Sequence, residues 1–291
     1  MKRTLAHNTA RRFFLLVLSC LFGMGITVTN GQEPQQEQSR RPLFSSTAFA
    51  IGRATLHDSY LSINKYQGIE LGLMHERMRV LPYGNGKWVM RHRIDASAAN
   101  AFSPSGNGHI ISAMLDYTHS QLYTLRFPCG IILRTGGEAG LSGGVLYNPR
   151  NSNNPASAKA VFTLGIAEML TYTAHIGNYP ITLRYSLSMP IIGIFFNPAF
   201  GESYYEIFYL GNHRGIVKFG SWQNRFDMNN LLTLDLPIRR CALRIGYDNI
   251  IRTCRANDLH YSHYSNAFLI GVSTPIQLRK KSVGTTLPAF Y

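Results

Sequence analysis

"ITLRYSLSMPI", residues 181–191, alternates from end to end. Ile181, Leu183, Tyr185, Leu187, Met189 and Ile191 fall on one face, and Thr182, Arg184, Ser186, Ser188 and Pro190 on the other. Successive side chains of a β-strand point to opposite faces, so this is a strand with one apolar and one polar side. It is also long. Strands of soluble proteins run to about 5–6 residues, while a strand crossing a bilayer needs about 9–11.

The pattern recurs. In 226–238, Met228, Leu232, Leu234, Leu236 and Ile238 oppose Asp227, Asn229, Thr233 and Asp235. In 241–251, Leu243, Ile245, Tyr247 and Ile251 oppose Arg244, Gly246 and Asp248, and 131–147 behaves likewise. About ten such strands are predicted, near 47–57, 67–80, 87–99, 109–127, 131–147, 161–176, 181–196, 226–238, 241–252 and 264–276. Eight results if the weakly patterned first strand drops out, and twelve if 203–222 joins the wall as a further hairpin. Tight turns fit 82–86, 128–130, 177–180 and 239–240, and longer links fit 58–66, 100–108, 148–160, 197–225 and 253–262. Short turns at one end and long loops at the other belong to an antiparallel transmembrane β-barrel of the outer-membrane type. A soluble sandwich or lipocalin-like barrel competes, but the strand lengths and the charges on the polar faces speak against it. Only Glu168, which shares a face with Phe162, Leu164 and Ile166, disturbs the scheme; it requires a bulge or a different face assignment there.

Composition agrees with a β-rich exported protein. The chain has 291 residues, only 15% charged, with 16 Tyr, 16 Phe and 26 Gly. "MKRTLAHNTARR" is basic, "FFLLVLSCLFGMGITV" apolar, and small or polar residues follow. That is the order of a secretory signal, placed at 1–31. A flexible periplasmic leader is assigned to 32–46, the barrel to 47–278 and a tail to 279–291. Loss of Lys2, Arg3, Arg11 and Arg12 with the signal leaves 25 basic against 15 acidic residues, a formal +10. Such a charge suits anionic lipid or glycan at a surface; no nucleic-acid motif accompanies it. Cys129, Cys241 and Cys254 remain, enough for one disulfide and without metal-ligand spacing.

With apolar faces turned to lipid, the polar faces line the interior. They collect the acids Glu70, Glu76, Asp95, Asp116, Glu138, Asp227, Asp235 and Asp248. They also collect Arg91, Arg93, Arg126, Arg134, Arg184 and Arg244. Near balance predicts ion pairs that fill a small lumen, as in barrels of about eight strands. Arg150, Lys159, His213, Arg214 and Lys218 form a basic group expected at the outer rim.

Few motifs carry chemistry. "HERMR", 75–79, lacks the second histidine of a zinc-protease helix, and "GGEAGLSGG", 136–144, lacks the Lys-Ser/Thr of a phosphate loop. No cofactor or metal is therefore expected. "HYSNA", 263–267, resembles the His-x-Ser-Asn of outer-membrane lipid A deacylases. The resemblance implies His263 as base and Ser265 as nucleophile of a lipid-acting hydrolase. The acid expected a dozen residues downstream is absent, and Asp248 or Asp258 would have to substitute. The competing reading is a polar extension of the last strand, with Tyr261 and Tyr264 in an interfacial aromatic girdle.

The segments 58–79, 204–237 and 263–272 resemble an uncharacterised family of exported Bacteroidota proteins held to be outer-membrane β-barrels. The resemblance implies architecture and location and supplies no catalytic residues. The expected protein is thus a small outer-membrane barrel with structural, adhesive or narrow-transport duties. Its expected partners are outer-membrane lipid or lipopolysaccharide, and the barrel-assembly machinery during insertion. The lipid-acting hydrolase is the alternative.

Overall fold

The structure is a computed structural model describing residues 43–276 apart from 153, 178, 239 and 240. The expected signal at 1–31, all but the last four residues of the expected leader, and the tail lie outside these residues. Eleven strands occur among the described residues: β1 (Leu43–Asp58), β2 (Ser62–Val80), β3 (Trp88–Phe102), β4 (His109–Arg126), β5 (Ile131–Tyr147), β6 (Ala156–Ile176), β7 (Tyr179–Phe196), β8 (Val217–Ser221), β9 (Arg225–Ile238), β10 (Cys241–Ala256) and β11 (Leu259–Ile276). All pairings are antiparallel, and ten strands close into a barrel in which β1 pairs with both β2 and β11. β8 is the extra piece, lying on the upper part of β7. β1 begins at Leu43, four residues inside the expected leader, because Phe44 and Ser46 continue its buried face.

The alternation read from 181–191 organises the whole wall. Outward positions carry Phe49, Ile51, Leu71, Leu73, Leu115, Leu141, Leu183, Leu232, Ile270 and Val272, all exposed, and Phe268 is 70% exposed. Inward positions of the same strands carry buried Ser, Thr, Asp, Glu and Arg. This inverts a soluble protein and matches a wall facing lipid. At the end with short turns, Tyr83, Trp88 and Tyr123 pack edge to face or tilted, with Phe127, Tyr172 and Tyr179 also on strand or turn ends. Aromatic rings at that level form the girdle of a membrane protein. Glu168 stays on the outer face, two outward positions from Tyr172. Glu168 pairs regularly with Leu187; the bulge lies nearer the loop end, on β7 between the partners of Leu164 and Gly165, and does not move Glu168 inward. On β9–β11 the belt is crossed by Asn230, Asn249 and Asn266, which bond one another and the hydroxyls of Tyr185 and Tyr247. A polar row satisfied from within needs no water in lipid.

Close curvature brings neighbouring backbones together on the inside. Gly52 and Gly271 face inward across the β1–β11 seam, where an added Cβ would strike the carbonyl oxygens of Asn266 and Thr47. Gly136 meets the Gln121 carbonyl in the same way and Gly144 that of Ala113, so these two glycines of 136–144 serve close packing, whereas Gly137 faces open space.

The loops differ from expectation in three places. β1–β2 and β10–β11 close over 59–61 and 257–258 rather than over long links. Asn257 and Asp258 both have positive φ, 53° and 59°, which makes the tight hairpin turn whose twist suits paired strands. The long connection 197–224 is also not a hairpin: Tyr204–Phe208 is a short helix, α1, and only 217–221 is strand. Ser203 accepts from the Glu206 backbone N–H while the Glu206 carboxylate accepts from Ser203, a complete capping box.

Candidate functional site

The lumen is filled in layers. At the turn end, Phe44, Met78, Val80, Val89 and Met169 form a buried apolar cluster. Arg184 and Arg244 lie over the Phe44 ring at 4.4 and 4.9 Å. A guanidinium over a ring face gains electrostatically and covers the apolar layer with charge.

The middle is ion pairs. Arg244 donates from Nε and Nη2 to the two oxygens of Asp235, at 2.7 and 2.8 Å, and from Nη1 to Glu76 at 3.1 Å. Arg184 lies 3.6 Å from Glu76 and 3.9 Å from Asp235. Arg91 donates to Glu138 at 2.8 Å, and Ser120 donates to the same oxygen. Arg93 spans Asp95 at 2.7 Å, Asp248 at 3.3 Å and Asn229 at 2.8 Å. Arg252 meets Asp116 at 2.8 Å, and Arg225 meets Asp227 at 2.6 Å. Arg134 donates to Thr171. Charges held this deep are stable only in such compensated sets.

At the loop end the lumen is apolar again. Leu56, Tyr60, Tyr66, Ile110, Leu146 and Phe195 belong to one buried cluster. Above it α1 is fastened by Tyr204, whose hydroxyl accepts from Ala158 N–H, and by Tyr60, whose hydroxyl donates to the Glu202 carbonyl at 2.7 Å. Burial, first, and then the neighbouring Tyr204 hold the Tyr60 hydroxyl well above the usual phenol range.

Most of the expected lumen charges sit on the inner face. Asp95 is half-buried, and Arg126 is exposed where β4 ends at a turn. Lys159, expected on the outer rim, is a lumen residue: its Nζ lies 2.8 Å from Asp58 and 4.5 Å from the Tyr261 ring centroid. β6 starts earlier than its apolar pattern, at Ala156, and that carries Lys159 inward. Arg150, His213 and Arg214 are exposed, and Lys218 is half-buried. Tyr261 is buried in the loop-end cluster rather than in a girdle, whereas Tyr264 faces outward. Asp58, Arg225 and Arg252 escaped sequence reading. Arg252 had a signal, since the inward phase of Arg244 and Asp248 runs on to it; Asp58 and Arg225 begin or end strands, where alternation has too few turns to show.

His263 and Ser265 share the inner face and are 1% and 2% exposed. The acid beside His263 is Glu70, with His263 Nε2 2.8 Å from its carboxylate. Asp248 pairs with Arg93 instead, and Asp258 occupies the hairpin turn. Nδ1 of His263 has no hydrogen-bond partner in the structure. Among the described residues no hydrogen bond joins it to Ser265. The three cysteines among the described residues are free thiols: Cys129 exposed, Cys241 half-buried and Cys254 buried. No cluster of His, Cys, Asp and Glu among the described residues could hold a metal.

Residues 13–282 match the family described as "Protein of unknown function (DUF3316)". The chain belongs to that family. No curated protein matches this DUF3316 member in sequence. Among solved structures it is similar to the transport unit of the autotransporter AIDA-I from Escherichia coli, at 7% identity and a TM-score of 0.47, covering 85% of this chain and 94% of that one. It is also similar to the outer membrane protease OmpT from Escherichia coli, at 7% identity and a TM-score of 0.45, over 84% of this chain and 100% of that one. The β domain of the Bordetella autotransporter BrkA gives 10% identity and a TM-score of 0.41, over 81% and 100%.

Proposed function

We propose that this DUF3316 protein is a sealed barrel of the outer membrane that works through its surface and its contact with lipid, rather than as an open pore. The observation that carries the reading is the filled lumen: an apolar layer at each end and compensated ion pairs between them. The exposed apolar belt and the aromatic girdle support a membrane location, and the basic then apolar N-terminus supports export; a Gram-negative, Bacteroidota-type source is proposed on the family resemblance alone. Outer-membrane lipid or lipopolysaccharide is the proposed partner of the loop end, where Arg150, His213 and Arg214 are exposed. The barrel-assembly machinery is the proposed partner during insertion. Liposome swelling in a small sugar tests the reading. Vesicles carrying the protein should swell no faster than empty ones; swelling at a porin-like rate would refute it.

The second reading, a lipid-acting hydrolase, is favoured by one observation, the Glu70–His263 bond, which gives His263 the carboxylate partner missing downstream. Lipid mass spectrometry of membranes with wild type, with Ser265→Ala and without the protein decides it. Identical lipids are expected; loss of an acyl chain that depends on Ser265 would establish the hydrolase.

A further inference from the structure

The ladder between β7 and its downstream neighbours is interrupted. β7 pairs with β9 over Thr182–Ser188 and with β8 over Ile192–Phe196. Met189–Ile191 face neither ladder, and Arg225–Met228 of β9 pair with β10 alone. Pro190 marks the break, for it has no N–H to give and belongs at edges and bulges. Its carbonyl accepts instead from the indole N–H of Trp222, at 2.8 Å. Trp222 is 52% exposed and stands beside exposed Ile191, Ile192 and Phe219.

A polar cavity of about 70 Å³ reaches this break from inside. Its lining includes Arg93, Asp116 and Arg252, and also Pro190, Asp227 and Met228, the last on the outward phase of β9. A smaller hollow in the wall shares Thr163, Pro190 and Asp227 with it and adds Ile191 and Arg225. Charge and lipid therefore meet across one thin place. Asp227 uses Oδ2 for Arg225, while its Oδ1 is buried without a hydrogen-bond partner. That oxygen calls for an N–H donor. Arg252 reaches Asp116 through Nη2, and a guanidinium has five N–H groups. Arg225 and Arg252 can thus serve a phosphate as well.

We propose that the gap between β7 and β9 is a lateral binding site for an ethanolamine phospholipid. Its acyl chains stay in the bilayer beside Trp222, its phosphate meets Arg225 and Arg252, and its ammonium donates to Asp227 Oδ1. A choline head group has no N–H for Asp227, and a purely anionic one adds negative charge among the acids of the cavity. The proposal rests on the barrel spanning a membrane. The chain has two tryptophans, so Trp88→Phe leaves Trp222 as sole reporter. The variant is reconstituted in choline-lipid vesicles holding a small, equal fraction of lipid brominated in its chains, with an ethanolamine, choline or glycerol head. The ethanolamine lipid should quench Trp222 several-fold more than the other two. Adding Asp227→Asn should erase that preference while the choline lipid quenches as before, which shows the wall intact. Equal quenching by all three, or strongest quenching by the glycerol lipid, would overturn the proposal and leave the membrane reading standing. No quenching by any would overturn both.

Discussion

Asp235 shows what one lumen charge does. It is fully buried and accepts two bonds from Arg244 and one from Ser273, beside Arg184. Asp235→Ala leaves Arg244 with Glu76 as its one carboxylate partner, and stranding one partner of a buried pair costs about 3–5 kcal/mol. Urea unfolding of the reconstituted barrel, followed by tryptophan fluorescence, should show a loss of that order; a loss below about 1 kcal/mol would match a surface pair and contradict the assignment. Gly271→Val tests close packing at the seam. Its Cβ would meet the Thr47 carbonyl, a backbone atom that cannot swing away, so the variant should fold poorly while Ser273→Ala, with a small side chain, folds. Asp235 was legible in the sequence because it sits mid-strand, where alternation has several turns on each side. The sharing of Arg244 between Asp235 and Glu76 was not, because strand register across the closed wall decides which inward charges meet. Glu70 and His263 make the same point, 193 residues apart and joined only by the closure of β11 on β1.

At the scale of elements, the regular strands followed from period two, and the departures follow from local chemistry. "SYYE" at 203–206 carries the Ser-x-x-Glu of a capping box, a helix start that the surrounding aromatic residues disguise as strand. The backbone and hydroxyl bonds from Ser203 hold the Glu206 carboxyl below the usual carboxylate range. A depressed acid contributes stability above its unfolded range and loses it as pH falls through the folded one. α1 should therefore stay capped into mild acid and loosen only below the ordinary glutamate range. Hydrogen exchange at the Ser203 amide checks this, and loosening already near neutral pH would contradict it. Asn257 adds a second fastening, donating to the carbonyls of Asn197 and Gly215 from the β10–β11 turn. Pro190 was visible in the alternation of 181–191 as the one residue of that stretch without a ladder donor, yet only the register shows that the wall parts there.

The whole molecule is a lipid-facing wall around a filled interior, and the two follow from one pattern. Apolar residues on alternate positions turn outward because lipid costs them nothing, and the charges left inside survive because opposite signs meet. Fold class and the polarity of the two faces could be read from the sequence for that reason. The apolar plugs could not, since Leu56, Ile110 and Leu146 lie on inward positions that alternation assigns to polar residues. The native thiols report on the loop-end plug. In proteoliposomes, a small methanethiosulfonate should modify exposed Cys129 quickly and leave Cys254 unmodified until the barrel unfolds, as read by peptide mass spectrometry. Comparable rates at both would mean that water reaches the plug.

The sealed lumen is tested most directly by single-channel recording in a planar bilayer, with insertion verified by antibody or label. Wild type should give a quiet baseline at all applied potentials, and Arg184→Ala should stay quiet because the apolar layers remain at both ends. Stable unitary conductance steps from wild type would contradict the account and make the ion-pair layer the lining of a narrow channel.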